Sequence, residues 1–132
     1  MPKNERYERG LSKLAGIDGE AGKRVIESLA DLAPDLGRYI VEFAFGDLYC
    51  RPGLDLRTRE IATVAALTAI GTARPQLEIH LCAALNVGCT RDELVEVILQ
   101  MSAYAGFPAA LNGIAALRAA LAEGATSRPT AA

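Results

Sequence analysis

Two ionisable residues stand at positions where the surrounding pattern is apolar: Glu60 and His80, the single histidine of the chain. Leu56, Glu60, Val64 and Leu67 recur at helical spacing, so the carboxylate shares a face with aliphatic neighbours. Leu77, His80, Ala84 and Val87 make a second such stripe, which places the imidazole on an apolar face. Burial disfavours the charged form of a carboxylate and of an imidazole alike. The two relieve each other if they meet, and antiparallel neighbouring helices would let them. An imidazole oriented by a carboxylate delivers or removes a proton near neutral pH. Proton transfer is therefore the chemistry this spacing suggests.

Other reactive groups offer less. Cys50, Cys82 and Cys89 are three thiols at no metal-like spacing. With one histidine and no close cysteine pair, a metal site within one chain is not expected. The cysteines read as free thiols of a cytoplasmic protein, filling apolar space.

The elements that must hold Glu60 and His80 follow from local signals. Pro52-Gly53 makes a turn, and Asp55 is a good cap for a helix over 56–71. Pro75 suits the first turn of a second helix over 76–87, and Gly88 can stop it. Both helices are apolar almost all round. In so small a domain such helices need cover from a second chain, so a homo-oligomer is expected. Upstream, Tyr7, Leu11 and Leu14 mark a short helix closed by Gly16. A second runs from Glu20 to Ala33 with Val25, Leu29 and Leu32 inward. A third opens at Pro34, turns Leu36, Ile40, Phe43 and Ala44 inward, and ends near Gly46. Downstream, Thr90-Arg91-Asp92-Glu93 is a capping box that starts a helix with Leu94, Val97, Ile98 and Met101 inside. It ends near Gly106. Pro108 opens the last helix, with Leu111, Ile114, Leu117 and Leu121 spaced for packing, and Gly124 stops it. Residues 1–5 are expected to fray and residues 125–132 to form a disordered tail.

The whole chain sets bounds on this reading. Its 132 residues suffice for one domain, here residues 1–124, with a real core. Half of the residues are hydrophobic, there is no tryptophan, and no strand pattern appears, so the fold class is all-α: a compact bundle of six to seven helices. A net charge of −2 with mixed signs gives no surface for nucleic acid. The first ten residues are polar and charged, unlike a signal peptide. Residues 97–117 carry no charge, but Gln100, Ser102, Gly106, Pro108 and Asn112 interrupt them. They read as two core helices and not as a membrane span.

The run FGDLYCRPGLDLRTREIATVAALTAIG, followed by LEIHLCAALNVGCTRDELVEVILQMSAYAGFPAALNGIAAL, resembles the carboxymuconolactone decarboxylase family. The likeness extends from about Tyr7 to Leu121. Its most specific pieces are RPGLD, the H-x-x-AAL-x-x-G-x-T segment and YAG-x-PAA, whose order and spacing together carry the match. The resemblance implies an alkylhydroperoxidase-D-like all-helical fold assembled into trimeric or hexameric rings. It implies two functional branches. One decarboxylates 4-carboxymuconolactone without a cofactor, in aromatic catabolism. The other is a thiol peroxidase with a Cys-x-x-Cys pair before the histidine and a glutamate upstream. Carried over, that glutamate falls on Glu60 and the histidine on His80, but the two cysteines fall on Ala73 and Gln76. A two-cysteine cycle has no thiolate there. The decarboxylase branch keeps Arg74-Pro75 and the histidine, but usually has a basic residue where this chain has Cys82.

Under the decarboxylase reading, His80 donates a proton and Glu60 orients it. Arg51, Arg57 or Arg59 holds the acetate arm of a small carboxylated lactone, and Tyr104 is a further hydrogen-bond donor. Each has a structural alternative. Glu60 can pair with Arg57 or Arg59, Arg57 with Asp55, and Arg51 can be solvated. Two rivals stand beside the decarboxylase: a thiol-dependent peroxidase or disulfide reductase, and a non-catalytic helical module binding a small acid or a partner protein.

Overall fold

A computed structural model describes residues 4–127, with side chains through Gly124. All regular structure among these residues is helical: α1 (Glu5–Ser28), α2 (Pro34–Tyr39) running into a π-helical segment (Ile40–Leu48), α3 (Leu56–Ile70), α4 (Arg74–Asn86), α5 (Arg91–Ala105) and α6 (Phe107–Ser127). The all-α expectation is borne out. The chain forms two compact units that meet in sequence at Leu56 and Arg57.

In the first unit, the two expected N-terminal helices are one helix with a kink. The break lies at Gly19, not Gly16. Gly19 adopts φ 57° and ψ −132°, a conformation that an L side chain rarely takes. Asn4 caps α1 by accepting from the Tyr7 amide at 2.8 Å, so the frayed start does not extend to residues 4 and 5. Residues 1–3 lie outside the described range. Leu32, expected inward, is 91% exposed.

The third predicted helix differs in register. Tyr49 N–H bonds to the Ala44 carbonyl at 2.9 Å, five residues back, and the wider turn carries the segment on to Leu48. Gly37, Val41, Glu42, Phe45 and Gly46 are buried, whereas Leu36 and Phe43 are exposed. The inner face is offset by one position from the expected one already at Gly37, within α2. The cause of the offset is close packing on α1. A Cβ on Gly10 would fall on the Val41 carbonyl oxygen, and one on Gly46 would lie 2.7 Å from the Arg6 carbonyl oxygen. The two backbones touch where side chains would hold them apart.

The second unit has a conventional core. Val64 of α3, Leu77, Leu81 and Ala84 of α4, Cys89 of the connection that follows, Leu94 and Ile98 of α5, and Ala116, Leu117 and Ala120 of α6 form one buried cluster. A fully buried Leu81 or Ile98 contributes about 1.5–3 kcal/mol. The capping box is present at the start of α5: Thr90 Oγ1 accepts from Glu93 N at 3.1 Å, and Glu93 Oε1 accepts from Thr90 N at 2.9 Å. Gly106, at φ 94°, separates α5 from α6, so the uncharged stretch is indeed two helices. No helix among the described residues is long and apolar enough to cross a membrane. Two details differ from expectation. Leu111 is 69% exposed, and α6 continues through Gly124 to Ser127. The part of the predicted tail over 128–132 lies outside the described residues.

Candidate active site

α3 and α4 each supply one polar group to an apolar interior. Glu60 is placed one turn before Val64, and the stripe continues to Thr68; all three are buried. Thr68 satisfies its hydroxyl locally, donating to the Val64 carbonyl at 2.7 Å. Glu60 has no such local option, because its carboxylate needs a donor. It finds one on α4. His80 Nδ1 lies 3.0 Å from Glu60 Oε2, as the two stripes anticipated.

The pair is asymmetric. Glu60 is fully buried, while the His80 side chain retains 20% of its exposure. The carboxylate is held in the interior and the imidazole reaches toward its edge. A carboxylate facing Nδ1 fixes that nitrogen as the donor, which leaves Nε2 as the nitrogen that can work on something else. The second carboxylate oxygen, Oε1, is buried with no hydrogen-bond partner among the described residues. A lone buried carboxylate would be expensive, so the imidazole is what makes Glu60 tolerable at this position.

The remaining expected site residues take other places. Arg57 pairs with Glu93 Oε2, and its backbone carbonyl accepts from the Cys89 thiol at 3.7 Å. Glu93 thus serves both the start of α5 and the first turn of α3. The capping box made Glu93 visible in the sequence, but its tie to Arg57 spans 36 positions and leaves no local trace. Arg59 is half-buried on α3, next to Glu60 in sequence. Arg51 is exposed in the loop before α3, and Tyr104 is 81% exposed on α5. At the positions where a peroxidase would carry its cysteines, Ala73 precedes α4 and Gln76 is exposed on its first turn. Cys82, two residues past His80, lies against α6, with its sulfur 3.9 Å from the Ala120 carbonyl oxygen.

The first unit holds a buried carboxylate that sequence reasoning missed. Glu42 accepts Arg6 at 3.3 Å and Arg38 at 3.5 Å. Arg6 also makes a two-pronged contact with Asp47, at 3.1 and 2.7 Å. That contact raises the Arg6 pKa and lowers that of Asp47; in both, the hydrogen bond is the largest cause. A cleft of about 650 Å³ beside it is lined by Arg6, Arg38, Tyr39, Glu42 and Phe43. The only sequence signal was Arg38 four residues before Glu42, a common surface arrangement.

Comparison with known proteins places the chain among decarboxylases by sequence. The chain is 42% identical over 110 residues to a 4-carboxymuconolactone decarboxylase of Acinetobacter baylyi, covering 83% of this chain and 81% of that protein. It is 38% identical over 85 residues to an uncharacterized 15.0 kDa protein of Paracoccus denitrificans, covering 64% of this chain and 63% of the other. It is 34% identical over 76 residues to a nitrosuccinic acid decarboxylase of Metarhizium robertsii, covering 57% and 52%. The profile of the carboxymuconolactone decarboxylase family matches residues 34–127, which include α3, α4 and both members of the Glu60–His80 pair, and the chain belongs to that family.

Proposed function

We propose that the protein is a cofactor-free carboxy-lyase acting on a small carboxylated lactone such as 4-carboxymuconolactone, in the breakdown of aromatic compounds. The observation that carries this reading is the 3.0 Å contact between His80 Nδ1 and a fully buried Glu60, in a chain 42% identical to a protein named for that reaction.

The chemistry suits the pair. When the carboxylate leaves as CO2, the bonding electrons pass into the conjugated lactone, and its carbonyl oxygen takes most of the charge. The substrate supplies its own electron sink. What remains is to deliver a proton to carbon. With Nδ1–H directed at Glu60, a proton on Nε2 makes the ring an imidazolium, and the adjacent carboxylate offsets that charge. Nε2 releases this proton to the carbon, and the ring recovers one from water at its exposed edge. A positioned acid of this kind gives about 10²–10⁴-fold in rate.

An arginine would hold the acetate arm by a paired hydrogen bond. Arg51, Arg57 and Arg59 are the candidate anchors, and Arg57 would have to share its guanidinium with Glu93. The anchor should avoid the departing carboxylate, since gripping it would stabilise the ground state and slow the step. Tyr104 could reach the substrate only from the solvent side. The reading includes assembly into a trimer or hexamer and a cytoplasmic location. Exposed Ile70, Leu99, Phe107 and Leu111 support the first, and three free cysteines the second.

Mixing the purified protein with 4-carboxymuconolactone and following CO2 release tests the proposal. Release that depends on His80 supports it. Turnover of a hydroperoxide with a dithiol donor, surviving loss of His80 but not of Cys82, would replace it with the peroxidase reading.

A further inference from the structure

α5 and α6 enclose a groove of about 320 Å³ lined by Arg91, Val95, Ile114, Leu117, Arg118 and Leu121. Its floor is firm. Leu117 is 3% exposed and belongs to the buried core, and Val95, Ile114 and Leu121 pack against that core. Arg91 and Val95 are four residues apart on α5, as are Ile114 and Arg118 on α6, so each guanidinium stands on the same face as an aliphatic side chain. The groove thus combines an apolar trough with two exposed cations.

The cations are distinctive in their company. In this unit Arg57 pairs with Glu93, and Arg74 lies 3.6 Å from Glu78. Neither Arg91 nor Arg118 forms an ion pair among the described residues. Glu93, two residues on from Arg91 in sequence, is committed to Thr90 and Arg57, and Asp92 is exposed. The N-terminus of α5 adds the positive end of a helix dipole beside Arg91. Such a groove suits a molecule with an apolar body and one anionic end. All its apolar lining residues are aliphatic, with no ring to stack on, which favours an alkyl chain over a planar acid. Its volume is at the small end for ligand sites and suits a chain of about eight carbons.

We propose that this groove binds a medium-chain aliphatic monocarboxylate. The chain lies on Val95, Ile114, Leu117 and Leu121, and the carboxylate is held between Arg91 and Arg118 by charge-assisted hydrogen bonds. Neither Glu60 nor His80 lines the groove, so the proposal stands apart from the decarboxylase reading.

The test is a titration of isotope-labelled full-length protein with octanoate, kept below its micelle-forming concentration and followed by NMR. Saturable shifts centred on Val95, Ile114 and Leu121 are expected. Arg91→Gln and Arg118→Gln change exposed side chains and should leave the fold intact; each should weaken binding at least tenfold. Octanol, which has the chain without the charge, should bind at least tenfold more weakly than octanoate. Absence of saturable shifts would overturn the proposal. So would shifts centred beside His80, equal binding of octanol, or unchanged binding by the double arginine variant.

Discussion

Glu42 and Glu60 are both carboxylates that the fold has removed from water, at 7% and 0% exposure, and the two units answer them differently. Glu42 faces Arg6 and Arg38, whose charge is permanent at any ordinary pH. Its negative charge is matched by groups that cannot give up a proton, so the arrangement is structural. Glu60 faces His80, the one side chain whose ordinary titration falls near neutrality. The same burial problem is solved there with a partner that can gain and lose a proton. A buried carboxylate alone therefore says little about function; the acid strength of its partner is what separates a brace from a working pair.

Substitutions can break that contrast. The largest effect is expected at the titratable pair. His80→Gln should lower the rate of CO2 release from 4-carboxymuconolactone by about 10²–10⁴-fold, read from kcat in a continuous assay. Glu60→Gln should fall in the same range while the protein stays folded by circular dichroism. A variant of either kind with full activity would reduce the pair to a structural contact.

Glu42→Ala should act in the opposite sense. It leaves two guanidiniums facing each other, and unfolding in urea should show a loss of about 1–3 kcal/mol. That is less than for a fully buried pair, because Arg6 and Arg38 reach water at 48% and 26% side-chain exposure. Its kcat should match the parent protein. A large fall in kcat with unchanged stability would erase the distinction between the two carboxylates.

Packing in the second unit offers a control of intermediate size. A Cβ on Gly113 of α6 would meet Ile98 Cγ2 at 2.9 Å and Thr68 Cγ2 at 3.0 Å, both on stiff branched side chains. Gly113→Val should cost about 1–3 kcal/mol by overpacking, measured as a lower urea midpoint. Some of the strain would fall on α3 near Glu60, so kcat should drop less than in the His80 variant.

The smallest effect concerns pH. Arg6 holds the Asp47 carboxyl below the usual carboxylate range in the folded protein, chiefly by hydrogen bonding. A depressed folded pKa means that stability is present above the unfolded value and is lost as pH falls through the folded one. Acid titration of unfolding should show this contribution fading below the usual carboxylate range, and Asp47→Asn should remove it. A midpoint in Asp47→Asn that follows the parent's pH dependence throughout would count against a contribution from this contact.

How legible the molecule was depended on whether a feature was periodic. The stripes through Glu60 and His80 were visible because both helices are ordinary α-helices. Four positions at helical spacing in each, Leu56 to Leu67 and Leu77 to Val87, were enough to show which way the polar residue faced. The capping box at Thr90 and the break at Gly106 were equally local. The segment around Glu42 was misread by one position, and the offset begins at exposed Leu36 and buried Gly37, before the π-helical turns. That register was set by Gly10 and Gly46, which lie 36 residues apart and let two backbones touch.

By itself, then, the sequence determined the helical class, the family and the two candidate residues, since each rests on local spacing and on a pattern of residue types. Tertiary structure alone decided that the carboxylate meets Nδ1 rather than Nε2, that Arg57 belongs to Glu93, and that Tyr104 faces water. Those facts depend on how separate helices are rotated against one another. That rotation is set by the shapes packed between them, and no single segment encodes it.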